Sequence, residues 1–268
     1  MTGTPAWAIR ERGEGPPLVL LHGFTGSGAA WAEHEEALAA GHRLVIPDLP
    51  GHGGTAAATP RDASVERAAD DLAAILAERV ATPAVVLGYS LGARVALRLA
   101  VEHPDAVARL VLESPSAGID DPQARTDRRA ADEALARRLE RDGMDAFVAE
   151  WEQHPIFASH AAMPPERLDR VRAMRLGNTP AGLATSLRGA GQGSMEPLTD
   201  RLAGIAVPTL VIAGALDATG CPRAAVVAAG IPRARLVVID DAGHTPHDEQ
   251  PDTFRRLVLD FLEEDLPA

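Results

Sequence analysis

The stretch VVLGYSLGARVAL, residues 85–97, sets a serine between two glycines, Gly88-Tyr89-Ser90-Leu91-Gly92, at the end of an apolar run. The run AVVLG is short, rich in Val and Leu, and reads as a buried strand. The segment after Ser90 has the apolar spacing of a helix. A serine at such a strand-to-helix junction sits on a sharp turn that lifts its hydroxyl above the sheet. Small residues two before and two after are what let the chain turn there. The helix N-terminus also directs a positive dipole at the hydroxyl. Ser90 is therefore a candidate nucleophile or base. Arg94 follows it by one helical turn, on the same face.

Outward from this junction, short apolar runs alternate with helical patterns. Residues 16–23, 42–49, 84–90, 109–114, 208–215 and 235–242 read as buried parallel strands bounded by Pro, Gly or polar residues. Between them, SVERAADDLAAILAERV (64–80) places Val65, Ala69, Leu72, Leu76 and Val80 at helical steps behind Ser64 as N-cap. This alternation predicts an α/β fold with a mostly parallel, doubly wound sheet. Residues 118–190 break the rhythm. They carry no strand signal and read as several helices, DDPQARTDRRAADEALARRLERDG, MDAFVAEWEQ, PPERLDRVRAMRL and PAGLATSLRGA, with 11 arginines against 12 acids. The expected organisation is a core in two parts, 1–117 and 191–268, interrupted by a helical lid, 118–190. Most charges on such helices are expected simply to face solvent.

A serine hydroxyl needs a histidine to take its proton, and the histidine needs an orienting carboxylate. Asp217, in VIAGALDA, and His244, in VVIDDAGHTPH, each follow a predicted strand. Open α/β sheets place their sites at these strand ends. The chain order Ser90, Asp217, His244 is that of the α/β-hydrolase fold. His247 is a rival base, Asp240 and Asp241 read as turn residues, and His22 in LLHGF reads as structural support. Charge developing on a substrate oxygen needs fixed donors. The backbone amides of Leu91 and Phe24 are the candidates. LHGF and the glycine-rich DLPGHGGT (48–55) are further marks of the same fold.

Composition excludes several alternatives. The formal net charge is −12, and all 26 basic residues are arginine, which argues against nucleic-acid binding. With no lysine there is no phosphate-binding G-x-x-x-x-G-K motif. Cys221 is the lone cysteine, so no zinc-type cluster or internal disulfide is expected, and a reducing cytoplasm is the natural setting. No apolar run is long enough to span a membrane, and MTGTPAWAIRERGEG lacks a signal-peptide core. No cofactor is expected. The sequence leaves the oligomeric state open, a monomer being the simplest reading. Arg94 beside the reacting centre points to a carboxylate substrate, because guanidinium and carboxylate match through paired hydrogen bonds. A salt bridge packed under the lid is the structural alternative.

Taken together, GYSLGAR, DLPGHGGT, RTDRRAADEALARRL, EWEQHPIFAS, RLGN, GALDA and AGHTPHDEQP resemble the 2-succinyl-6-hydroxy-2,4-cyclohexadiene-1-carboxylate synthases of menaquinone (vitamin K2) biosynthesis. The resemblance runs over nearly the whole chain, and its most specific piece is the lid motif around WEQHPIFAS. It implies a cofactor-free lyase that eliminates pyruvate from an enolpyruvyl-bearing cyclohexene polycarboxylate, rather than a hydrolase of esters or of C–C bonds in vinylogous diketones. It also implies Ser90, Asp217 and His244 as the triad. Tyr89, Arg94, Arg128, Trp151, Gln153 and Arg175 are implied as substrate-binding residues. The chain departs from the family in three places. Ala93 stands where a second glycine is common, Ala218-Thr219 where Lys-Phe is common, and GHTPH replaces GHNxH.

Overall fold

The computed structural model describes residues 6–80 and 83–264. One sheet of seven strands organises them: β1 (Ile9–Arg12), β2 (Pro17–Leu21), β3 (Arg43–Pro47), β4 (Ala84–Tyr89), β5 (Val107–Glu113), β6 (Thr209–Gly214) and β7 (Ala234–Ile239). Their spatial order is β1-β3-β2-β4-β5-β6-β7. All neighbours run parallel except β1, which pairs antiparallel with β3, Ile9 opposite Pro47. The six strands read from sequence are all present. The seventh, β1, was not expected. Its sequence IRER has no apolar alternation beyond Ile9, and it survives at the sheet edge through ion pairs such as Arg10 to Glu35 and Glu11 to Arg43. Charged edge strands of this kind resist pairing with other chains.

Successive side chains of the central strands point to opposite faces, so each face needs its own helical layer. The first helices are α1 (Glu35–Ala39), α2 (Val65–Arg79) and α3 (Leu91–Glu102). After the inserted segment come three more, if the lid helices take the labels α4 to α6. These are α7 (Gly220–Gly230), α8 (Pro246–Glu249) and α9 (Pro251–Glu263). Val19, Val86, Leu110 and Val211 pack with Leu72, Leu76, Val95, Leu99 and Val227 of α2, α3 and α7. Leu18, Leu20, Leu87 and Ile212 pack on the other face with Leu38, Phe254, Val258 and Phe261 of α1 and α9. The Ser64 hydroxyl accepts the amide of Arg67 and caps α2 as the sequence predicted.

Between β5 and β6 lie α4 (Pro122–Trp151), a 3-10 stretch Pro155–Ala162, α5 (Pro165–Leu176) and α6 (Pro180–Ala190). Gly143, at φ 79°, breaks α4 into the two pieces that the sequence suggested. This segment has a small apolar core of its own, with Leu139, Phe147, Val148, Leu183 and Leu187. Many of its arginines pair outward, Arg188 with Glu133 and Glu140, Arg137 with Glu133, and Arg167 with Glu33. Arg137, 73% exposed, has the solvated role expected for most of them, whereas Arg188 and Arg167 are half-buried in their pairs.

Candidate active site

The junction at Ser90 is a strained turn. Ser90 has φ 50° and ψ −101°, between the last residue of β4 and the first of α3. Its glycines are dictated by backbone contact. A Cβ at Gly88 would lie 2.4 Å from the carbonyl oxygen of Gly92, and one at Gly92 would lie 2.2 Å from that of Leu21. The Ser90 amide donates to the carbonyl of Glu113 at 2.9 Å, which ties the turn to β5.

Two loops from the same sheet edge complete the arrangement. His244 Nε2 lies 3.1 Å from Ser90 Oγ, and His244 Nδ1 lies 2.6 Å from Asp217 Oδ2. Asp217 is buried, and burial alone would raise its pKa. The hydrogen bond and charge of His244, with backbone donors from Gly220 and Thr219, outweigh this and hold it below its ordinary value. Asp217 therefore stays ionised and fixes the Nδ1–H tautomer, leaving Nε2 to face the serine. Ser114 Oγ donates to the His244 carbonyl at 2.9 Å.

The amides of Leu91 and Phe24 have no protein acceptor among the described residues. Leu91 is the first residue of α3, whose first amides lack intrahelical partners. The Phe24 loop is held from behind. His22 is fully buried, and burial lowers its pKa to about 4, so it is neutral. Its Nδ1 faces the Gly23 carbonyl at 2.8 Å and its Nε2 accepts the Leu49 amide at 2.9 Å. This is the supporting role read for it. The neighbouring Thr25 adopts φ 68°. Asn178, at the end of α5, donates to its carbonyl at 2.9 Å and accepts the Gly53 amide at 2.9 Å. One lid side chain thus joins the LHGF and PGHGG loops. Sequence reasoning passed over Asn178 in RLGN, reading that motif only for its arginine.

Ser90 and His244 open on a cavity of about 870 Å³ between sheet and lid. Phe24, Tyr89, Leu91 and Arg94 line it from the core, and Arg128, Trp151 and Gln153 from the lid. Arg94 is 7% exposed and makes no ion pair among the described residues. Its Nη1 donates to the Ala190 carbonyl at 2.5 Å and approaches Met195 Sδ at 3.8 Å. Burial, and next the positive charge of Arg128, lower its pKa to about 10. The carboxylate of Asp132 acts on Arg94 in the opposite direction, and both arginines line the cavity. Arg128 Nε is bonded to Asp132 Oδ1 at 2.9 Å.

Arg175 differs from the other arginines implied by the resemblance. It is buried, with its guanidinium 4.7 Å from the Phe157 ring and 3.6 Å from Glu152. It lines a separate recess of about 20 Å³ rather than the main cavity, and Phe157 lines both. The rival base His247 is also accounted for. Its Nδ1 lies 2.8 Å from Glu113 Oε1, both side chains being buried beneath Tyr89. Burial would lower its pKa, but Glu113 and Asp248 prevail and raise it to about 9. His247 is a structural cation. Neither Asp240 nor Asp241 bonds to His244.

Comparison with known proteins places these features in context. Residues 16–251 match the alpha/beta hydrolase fold family. A protein of Bacillus subtilis (strain 168), provisionally named 2-succinyl-6-hydroxy-2,4-cyclohexadiene-1-carboxylate synthase, is 39% identical over 254 residues, 93% of this chain and 92% of that protein. The synthase of that name from Salmonella paratyphi C (strain RKS4594) is 34% identical over 239 residues, covering 88% of this chain and 89% of the relative. The solved structure of MenH from S. aureus superposes with a TM-score of 0.91 at 34% identity, over 96% of this chain and 97% of that one.

Proposed function

The chain belongs to the alpha/beta hydrolase fold family and, within it, to the 2-succinyl-6-hydroxy-2,4-cyclohexadiene-1-carboxylate synthase family, and on that premise we propose how its site performs the reaction of that family. The chain is a carbon–oxygen lyase. It eliminates pyruvate from 2-succinyl-5-enolpyruvyl-6-hydroxy-3-cyclohexene-1-carboxylate in menaquinone biosynthesis. His244 Nε2 takes the proton of Ser90 Oγ, and Ser90 Oγ removes the ring proton beside the succinyl ketone. The electrons of that C–H bond move onto the ketone oxygen, where the Phe24 and Leu91 amides stabilise the charge. When they return, the ring double bond shifts and the C–O bond to the enolpyruvyl group breaks. The leaving group departs as the enolate of pyruvate and takes up the proton that His244 carries, which returns Ser90 and His244 to their starting states. Asp217 steadies the imidazolium while His244 carries the proton.

The observation that carries this reading is Arg94, a buried cation that hydrogen-bonds only neutral acceptors and lines the cavity together with Arg128. Asp132 acts on both guanidinium groups and offsets part of their charge, and an anionic ligand supplies the rest. The substrate carries three carboxylates. Arg94 and Arg128 are the side chains we assign to them, with Tyr89, Trp151 and Gln153 shaping the wall and residues 118–190 acting as the lid. Arg175 acts from behind Phe157, by supporting that wall. A hydrolase of esters or vinylogous diketones would use the same triad, and two guanidinium groups in its cavity would restrict it to substrates that bear carboxylates. Pyruvate release from the enolpyruvyl substrate tests the proposal. Acceleration over the spontaneous reaction, together with slow turnover of activated esters, is the expected result. Fast ester turnover without pyruvate release would favour the hydrolase.

A further inference from the structure

The 3-10 stretch Pro155–Ala162 does more than wall the cavity with Ile156 and Phe157. Two later residues of it, Ser159 and His160, rest on the loop that carries His244, one on each side of the histidine. A Cβ added at Gly243 would come within 2.1 Å of Ser159 Oγ, so a bare glycine lets the lid sit this close. On the other flank, His160 Nε2 lies 2.7 Å from Thr245 Oγ1. Thr245 Oγ1 donates its proton to Glu249 Oε1 at 2.9 Å, so it accepts the Nε2–H of His160. Glu249 also takes the Gly243 amide through Oε2 at 2.7 Å and the Thr245 amide through Oε1 at 2.9 Å. One buried carboxylate thus holds the residues before and after His244, and a lid histidine is bonded into that clamp. The His160 and Glu249 side chains are 8% and 3% exposed. His160 does not line the cavity.

We propose that His160 is a positioning residue for His244: its hydrogen bond to Thr245, added to the Glu249 clamp, holds the loop that carries His244 so that Nε2 stays aligned on Ser90. The inference rests on the lyase reading only for the substrate used to measure it, because the Ser90–His244 geometry serves either chemistry. The test compares His160→Ala, His160→Gln, Thr245→Val and the His160→Ala/Thr245→Val double variant in pyruvate release. His160→Ala should lower kcat about tenfold with KM within about twofold, the signature of an effect on the chemical step. His160→Gln, whose amide can still donate to Thr245, should keep at least about half of kcat. The double variant should fall no more than about twofold below the weaker single one, because Thr245→Val already removes the acceptor of the His160 bond.

A kcat for His160→Ala within about twofold of wild type, Gln no better than Ala, or losses that multiply would each overturn the proposal. Should the Ala variant fail to fold, as a thermal melt would show, His160→Gln against Thr245→Val decides the matter. Retention in the first and a tenfold loss in the second are expected, and equal rates would contradict it. If wild type releases no pyruvate, the lyase reading fails separately. The same variants are then ranked by the rate at which a fluorophosphonate modifies Ser90, a displacement of fluoride by Ser90 Oγ that also depends on His244.

Discussion

At the scale of single residues, Arg94 separates one chemistry from another. Ser90, Asp217 and His244 are what any enzyme of this fold family needs to activate a hydroxyl. Arg94 alone combines deep burial with a cavity-facing position and no ion pair among the described residues. Arg94→Ala should therefore cost at least about 2 kcal/mol in kcat/KM for pyruvate release, on the scale of truncating one partner of a buried charge pair. Arg94→Lys should not recover it, since a point charge cannot reproduce the paired donors. Steady-state kinetics check this, and a change below about threefold would remove Arg94 from substrate binding. The triad was legible in the sequence because each member follows a strand and the order is distinctive. Arg175 was less so: a motif gives a side chain's position along the chain, while its direction depends on how α5 packs against Phe157. Asn178 and His160 were silent for a related reason. Their partners, Thr25, Gly53 and Thr245, are distant in sequence and meet only through the lid.

Elements explain why the serine can be strained at all. The turn between β4 and α3 brings helix and strand backbones into direct contact at Gly88 and Gly92. Gly92→Ala forces a Cβ against the backbone of Leu21, where no side chain can yield. A loss of more than about 2 kcal/mol in unfolding free energy is expected, as for overpacked cores. Ala93→Gly, at the next residue of the same helix, should cost only about 1 kcal/mol through helix propensity. Denaturant melts of the two variants provide the comparison, and equal effects would contradict the contact argument. The same scale shows where periodicity suffices. Six buried strands and the break of α4 at Gly143 were readable because apolar runs and a glycine mark them. The edge strand β1 was not, because Arg10, Glu11 and Arg12 are held by ion pairs and backbone bonds, which leave no apolar pattern.

Over the whole molecule, histidines set the pH range of stability. His22 and His52 are buried and neutral, with burial lowering them to about 4 and about 3. His34, lowered to about 4 by burial and then by His247, behaves alike. A depressed histidine contributes stability above its ordinary value of 6.5, lost as pH falls toward these folded values. His247 has the opposite sign. Raised to about 9, it contributes fully below 6.5, and that contribution is lost as pH rises through 9. The melting temperature should therefore decline on both sides of about 6.5, and the alkaline decline should shrink in His247→Gln. A wild-type curve flat from 6.5 to 9 would contradict the Glu113–His247 pair as a charged one.

The fold, the triad and the cavity-lining arginines lead to one claim, that Ser90 acts as a base on a polycarboxylate rather than as an acyl acceptor. The most direct test is pyruvate release by wild type and Ser90→Ala from substrate carrying deuterium at the ring carbon beside the succinyl ketone. The account predicts that wild type releases pyruvate with a primary isotope effect and that Ser90→Ala loses nearly all of the rate. Pyruvate release by wild type no faster than in its absence, or undiminished in Ser90→Ala, would contradict it.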